Sequence, residues 1–216
     1  MKLKRLFLIT VFTLVAMLAS AGTKCIASEQ TQQFFDAFDR NEMDTLSDLV
    51  KQYKAQVPDE IKLIIEAAQS EKSEDKRDAR FYMAETVAKM YMDLTRDPAP
   101  LLDAMRKSFE SKLTTQERPA PAGGVYIVEL PKAAPGEKNK FRPNNIIIKK
   151  GSTVRWVNED ATEHIFATML VISQGKIFSP RVKPGASWEQ KFDGPGEYFY
   201  VCFIHHSMIG KITVEE

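Results

Sequence analysis

The sequence is sparing with the residues that usually announce a chemistry. Two cysteines in 216 residues are too few for a disulfide-dense scaffold. Charge of neither sign prevails: 30 Lys+Arg against 29 Asp+Glu give +1, so no basic field is available for nucleic acid. There is no P-loop, no G-x-G-x-x-G and no Ser/His/Asp arrangement. Glycine is missing altogether between Glu29 and Leu113, where the prolines are Pro58, Pro98 and Pro100. The longest apolar run, Leu6 to Ala19, falls short of the roughly 20 residues that span a bilayer. With 44% hydrophobic and 27% charged residues, the composition is that of an ordinary globular protein, which excludes wholesale disorder and a multi-span membrane protein.

The apolar run has a different meaning. Lys2, Lys4 and Arg5 precede it and Ala19-Ser20-Ala21 follow it, the pattern of a secretory signal peptide, expected over residues 1–27. Cleavage is compatible with Ala21 or Ala27, and only the second removes Cys25. Left uncleaved, the segment would be a membrane anchor. Its removal takes away Lys2, Lys4, Arg5 and Lys24 and turns the net charge mildly negative. An exported location, periplasmic or otherwise extracytoplasmic, is thus expected, with no role for nucleic acid.

The glycine-free stretch, residues 28–116, reads as a small helical bundle of four or five antiparallel helices. Leu46, Leu49, Val50 and Tyr53 follow a helical stripe behind Asp44 as a candidate cap. Pro58 with Asp59-Glu60 suits a first turn, and Ile61, Ile64, Ile65 and Ala68 form its apolar face. A longer helix is expected from Glu74 to Thr95, and another after Asp97-Pro98 with Leu101, Leu102, Met105 and Phe109. Met83, Met90, Met92 and Met105 could offer thioethers to reduced copper, but with no histidine or cysteine beside them they read as core filler.

Residues 117–124, Glu-Arg-Pro-Ala-Pro-Ala-Gly-Gly, have the composition of a linker. The pattern then changes. Val125–Leu130, Asn145–Lys149, Thr153–Val157, Ser187–Phe192, Glu197–Cys202 and Lys211–Val214 read as strands between Gly, Pro and Asn turns. Residues 125–216 are therefore expected to form an antiparallel Greek-key β-sandwich, making the whole a multidomain α + β chain. Trp156 and Trp188 read as core or strand-face aromatics.

All three histidines and the second cysteine fall in this half. His164 follows a strand; much further on come Cys202, His205, His206 and Met208 in a C-x2-H-H-x-M run. A thiolate, two imidazoles and a distant thioether are the donors of a trigonal copper site with a weak axial ligand. Zinc would accept two His and one Cys but finds a poor fourth ligand in a thioether. With every position filled by protein, such a site suits one-electron exchange rather than substrate chemistry.

Phe141–His164 and Gly194–Glu215 resemble the strand pair and the closing ligand loop of type 1 (blue) copper proteins, cupredoxins of the plastocyanin/amicyanin group. The two residues between His205 and Met208 match amicyanin spacing. The resemblance implies a cupredoxin-like fold for roughly the last 40% of the chain. It also implies one Cu(I)/Cu(II) ion held by His164, Cys202 and His205, with Met208 axial. It departs from the family at Ile165, where an asparagine usually ties the two ligand loops together, and at the extra His206, which could replace His205, join another site or face solvent. Glu163 is a further oxygen donor or a merely exposed residue. Phe203, Ile204 and Ile209 are expected to form an apolar collar around His205, where a redox protein partner would dock. The function implied is that of an exported electron carrier, not an enzyme. Copper storage or delivery, or a binding module without redox function, are the alternatives.

Overall fold

The computed structural model describes residues 29–216; the expected signal peptide and Cys25 lie outside the described residues. Five helices come first: α1 (Glu29–Asp39), α2 (Met43–Gln52), α3 (Val57–Ser70), α4 (Glu74–Thr95) and α5 (Ala99–Glu110). Their ends follow local chemistry. Pro58 and the carboxylates Asp59 and Glu60 occupy the first turn of α3, where a missing N–H costs nothing and negative charge faces the helix dipole. The Ser73 hydroxyl accepts from the Lys76 amide to start α4, and Arg96 closes it in the left-handed conformation at φ 66°. Asp97 accepts from the Ala99 amide at 3.0 Å at the head of α5. Asp44, expected as a cap, lies inside the first turn of α2, whose N-cap is Glu42. It complements the dipole instead.

The helices enclose one apolar core containing Phe34, Leu46, Val57, Ile61, Ile64, Phe81 and Met83. Met83 is fully buried and Met90 packs against the core, as expected of filler methionines. A buried polar contact joins α1 to α3: the Thr31 hydroxyl donates to the Glu60 carboxylate at 2.6 Å.

Seven strands follow: β1 (Val125–Leu130), β2 (Asn145–Lys149), β3 (Ser152–Asn158), β4 (Phe166–Thr168), β5 (Ser187–Phe192), β6 (Gly196–Cys202) and β7 (Ile209–Glu215). They form two sheets, ordered β1-β3-β5 and β2-β7-β6-β4. The antiparallel expectation needs correction, because β1 pairs with β3 in parallel and so does β2 with β7. The cause is topological: β2 leaves β1 for the other sheet, so β3 returns beside β1 by a crossover rather than a hairpin. Turn signals in sequence mark that the chain reverses, not which sheet it rejoins. Both sheets contribute to one core, with Val128, Val154 and Phe192 from the first and Ile146, Ile212, Tyr200 and Phe166 from the second. At its centre Trp156 is fully buried, stacks on Trp188 at 5.2 Å and donates its indole N–H to the Tyr200 hydroxyl at 3.3 Å.

The helical half sits on the outer face of the second sheet. Arg106 of α5 donates to the Glu197 carboxylate and to the Ile172 carbonyl, with its guanidinium 5.1 Å from the centre of the Phe199 ring. Lys211, nearly buried, also pairs with Glu197 and stands 4.9 Å from the same ring. The connecting residues are tied down too. Thr114 donates through both its amide and its hydroxyl to Asn144 Oδ1, at 2.9 and 2.7 Å. Glu117 pairs alongside Ile146, and Arg118 makes two hydrogen bonds, of 2.7 and 2.6 Å, to Glu215.

Candidate metal centre

Two loops meet at one end of the sandwich. The first carries His164, whose amide and carbonyl pair with Val182 at 3.0 and 2.8 Å just before β4 begins. The second begins at Cys202, the last residue of β6, which lies opposite Phe166 of β4. Cys202 donates its amide to the Met208 carbonyl at 3.0 Å, and Met208 donates to the His205 carbonyl at 2.9 Å. These two bonds close the ligand loop into a compact turn between β6 and β7. Phe203 donates to the Ile165 carbonyl at 2.8 Å and joins the two loops.

This architecture brings three of the expected ligands together. Cys202 Sγ lies 3.7 Å from His164 Nδ1 and 4.0 Å from His205 Nδ1, and the two Nδ1 atoms are 3.2 Å apart. Among the described residues, His164, Cys202 and His205 form the group of ligand-type side chains close enough to share an ion, with all donor atoms within 4.8 Å of one another. Such separations suit a single ion with bonds of about 2.0–2.3 Å. The His205 amide donates to Cys202 Sγ at 3.4 Å, a further tie within the ligand loop. Met208 is buried beside them at 1% exposure and belongs to the core of the sandwich.

The electrostatics favour ligation by neutral imidazole. Burial, reinforced by the neighbouring His205 ring, holds His164 below the ordinary imidazole value, against the opposing pull of Asp160. His164 Nε2 is 3.2 Å from Asp160 Oδ2, which leaves Nδ1 facing the other two donors. Burial pushes the Asp160 carboxyl up, but hydrogen bonds from Thr162, Ala161 and His164 outweigh it and leave the group below its usual range. Asp160 and its neighbour Asn139 were missed in the sequence. A carboxylate four residues before a histidine, outside any helix, carries no recognisable pattern.

The remaining expectations divide. His206 is exposed and hydrogen-bonds the Phe203 carbonyl through Nε2 at 3.0 Å, away from the three-donor group. Glu163 is engaged by Arg181 in a surface ion pair. Phe203 and Ile204 are exposed at 53% and 42%, but Ile209 is only 6% exposed. It lines a cavity shared with Ser111, Lys112 and Leu113, just after α5, so it does not join Phe203 and Ile204 on the surface as expected.

The chain is similar to known proteins. Residues 129–215 match the family described as copper binding proteins, plastocyanin/azurin family. Amicyanin-alpha of Methylorubrum extorquens is 31% identical over 101 residues, covering 46% of this chain and 77% of that protein. Plastocyanin of Scenedesmus fuscus is 34% identical over 87 residues, covering 35% of this chain and 86% of that protein. Among solved structures, a purple cupredoxin from Nitrosopumilus maritimus is 27% identical over 42% of this chain and 99% of its own, with a TM-score of 0.38. Through its strand-rich half the chain belongs to the plastocyanin/azurin family of copper-binding proteins, and copper is its cofactor.

Proposed function

We propose that the protein is an exported electron carrier, not an enzyme, that holds one copper ion through His164, Cys202, His205 and Met208. It would pass single electrons to and from a redox protein partner. The observation that supports this most is the meeting of two imidazoles and a thiol from separate loops at one buried point. Bound copper supplies a reversible one-electron couple. The residues do the rest: Cys202 and His164 are fully buried and exclude water, while the loop bonds around Met208 hold the donors in place before any ion arrives. With four protein donors no position remains for a substrate.

His205 is the ligand whose ring is partly exposed, and Phe203 and Ile204 lie exposed in the same loop. An apolar rim around an accessible imidazole suits brief docking, since desolvation there costs little and no ion pair must break on release. Export rests on the signal pattern of residues 1–27, which makes residues 28–216 the mature protein, with a helical part over 28–116, a connection at 117–124 and the copper domain at 125–216. Among the described residues no helix is long and apolar enough to cross a membrane.

The test is copper titration of the purified protein with visible absorption and EPR. The expected result is an intense thiolate-to-copper band with narrow copper hyperfine splitting, absent in Cys202→Ala and retained in His206→Ala. A colourless Cu(II) adduct in the unaltered protein would refute the ligand set. Loss of the band in His206→Ala with retention in His205→Ala would exchange the two histidines.

A further inference from the structure

We propose that Asp160 is the positioning residue of the copper centre, fixing the tautomer of His164 and lowering the reduction potential of the ion that His164 binds. The inference rests on the ligand set proposed above.

Asp160 is only 7% exposed, yet its carboxylate is fully engaged. Oδ1 accepts from the Ala161 amide at 2.7 Å. Oδ2 accepts from the Thr162 hydroxyl at 2.7 Å and from Asn139 Nδ2 at 2.7 Å, and faces His164 Nε2 at 3.2 Å. The loop is folded to hold it there: the Asp160 amide donates to Asn158 Oδ1, and Asn158 Nδ2 donates to the carbonyls of Thr162 and Val182. A carboxylate can only accept, so the neutral imidazole that faces it carries its proton on Nε2. Nδ1 is then bare, and it is the atom that faces Cys202 Sγ and His205 Nδ1. A carboxylate behind a ligating imidazole fixes its tautomer and raises its basicity.

The same arrangement replaces the side-chain tie that Ile165, with no polar group beyond its backbone, cannot make. Ser207, in the second ligand loop, donates its hydroxyl to the Asn139 carbonyl at 3.1 Å. The Asn139 side chain then reaches Asp160, so the chain of contacts runs from the Cys202–Met208 loop to His164. The charge has a second consequence. Reduction adds one electron from the partner to Cu(II), giving Cu(I), and moves no proton. A buried negative charge one imidazole ring away opposes that electron, and its burial weakens screening by solvent.

Two variants separate this role from simple scaffolding. Asp160→Asn keeps the shape and an acceptor oxygen but removes the charge. Its reduction equilibrium against a fixed couple should shift toward Cu(I) by about tenfold or more, equal to about 59 mV for one electron. Asn139→Ala withdraws one donor from the carboxylate, concentrates its charge on His164 and should shift the equilibrium the other way by a smaller factor. Nitrogen NMR of the metal-free, unaltered protein supplies a readout without copper and should show His164 as the Nε2–H tautomer. An Nδ1–H tautomer there overturns the proposal, and so do an unchanged potential in Asp160→Asn or shifts of the same sign in both variants. A protein that never develops the thiolate band overturns the ligand set, and with it the effect on potential, while the NMR still reads the tautomer.

Discussion

The two halves of the molecule bury different things. The helical core is apolar, with Phe34, Leu46, Ile64, Phe81 and Met83 in it and the hydrogen bond from Thr31 to Glu60 among its few buried polar contacts. The sandwich has an apolar core of similar character, but at one end it also buries His164, Asp160, Asn158 and Cys202. Buried polar groups cost free energy unless every donor and acceptor is paired, so this end is specified by its hydrogen bonds and not by packing alone. The helical half could exchange one aliphatic residue for another with little consequence for chemistry. The copper end could not, because each atom there has an assigned partner.

That contrast is open to attack at its strongest point. Phe81→Ala removes a ring that is 1% exposed from the helical core and should cost about 3–5 kcal/mol. If the halves are separate in stability, the far-ultraviolet helix signal will melt well below the copper band, which will keep its original midpoint. Coincident melting would show that the helical half and the sandwich unfold as one unit. A smaller effect is expected at Gly210 of β7. A Cβ built there would lie 2.2 Å from Tyr200 Cζ, so the ring must move. Tyr200 is buried against Trp156, Phe141 and Phe166, and overpacking of this kind costs about 1–3 kcal/mol. Gly210→Ala should therefore lower the melting temperature of the copper band and leave the helix signal where it was.

Legibility in the sequence differed between the halves for the same reason. The extents of α4, β1, β2 and β5 follow directly from periodicity and punctuation, since glycine-free amphipathic stretches and short β-branched runs are local signals. The three-donor group was equally visible, because Cys202 and His205 share one turn and ligand chemistry restricts what they can do together. Strand order was not visible: β1 and β3 are joined by a crossover through the other sheet, and nothing within either strand records it. The three-residue β4 is too short to show a period. Asp160 and Asn139 were invisible because their roles arise when two loops meet in space. Ile209 was misplaced because it is buried and lines a cavity shared with Arg77 and Asp78 of α4 and with Ser111 and Lys112 after α5, neighbours that are distant in sequence.

The smallest expected effect concerns the contact between the halves. Burial pushes the Glu197 carboxyl up, but Lys211 and Arg106 outweigh that and leave it below its ordinary value. A carboxyl depressed in the folded state stabilises the contact fully above its unfolded value of about 4.3, and loses that contribution as pH falls through the lower folded value. The contact between α5 and the face carrying Phe199 should thus be constant from neutral pH to about 5 and loosen only in stronger acid. Amide hydrogen exchange in α5 reads this directly, against a Glu197→Gln control. The control should exchange faster than the unaltered protein at neutral pH, because Arg106 and Lys211 lose their shared carboxylate, and it should show little further acceleration in acid. Glu110, 3.8 Å from Lys211, gives that cation a second partner, so the control should loosen the contact without freeing it. Identical exchange in both proteins at every pH would show that the apolar contacts hold the halves together without help from Glu197. The contrast between a generic helical half and a hydrogen-bonded copper end would then extend to the surface between them.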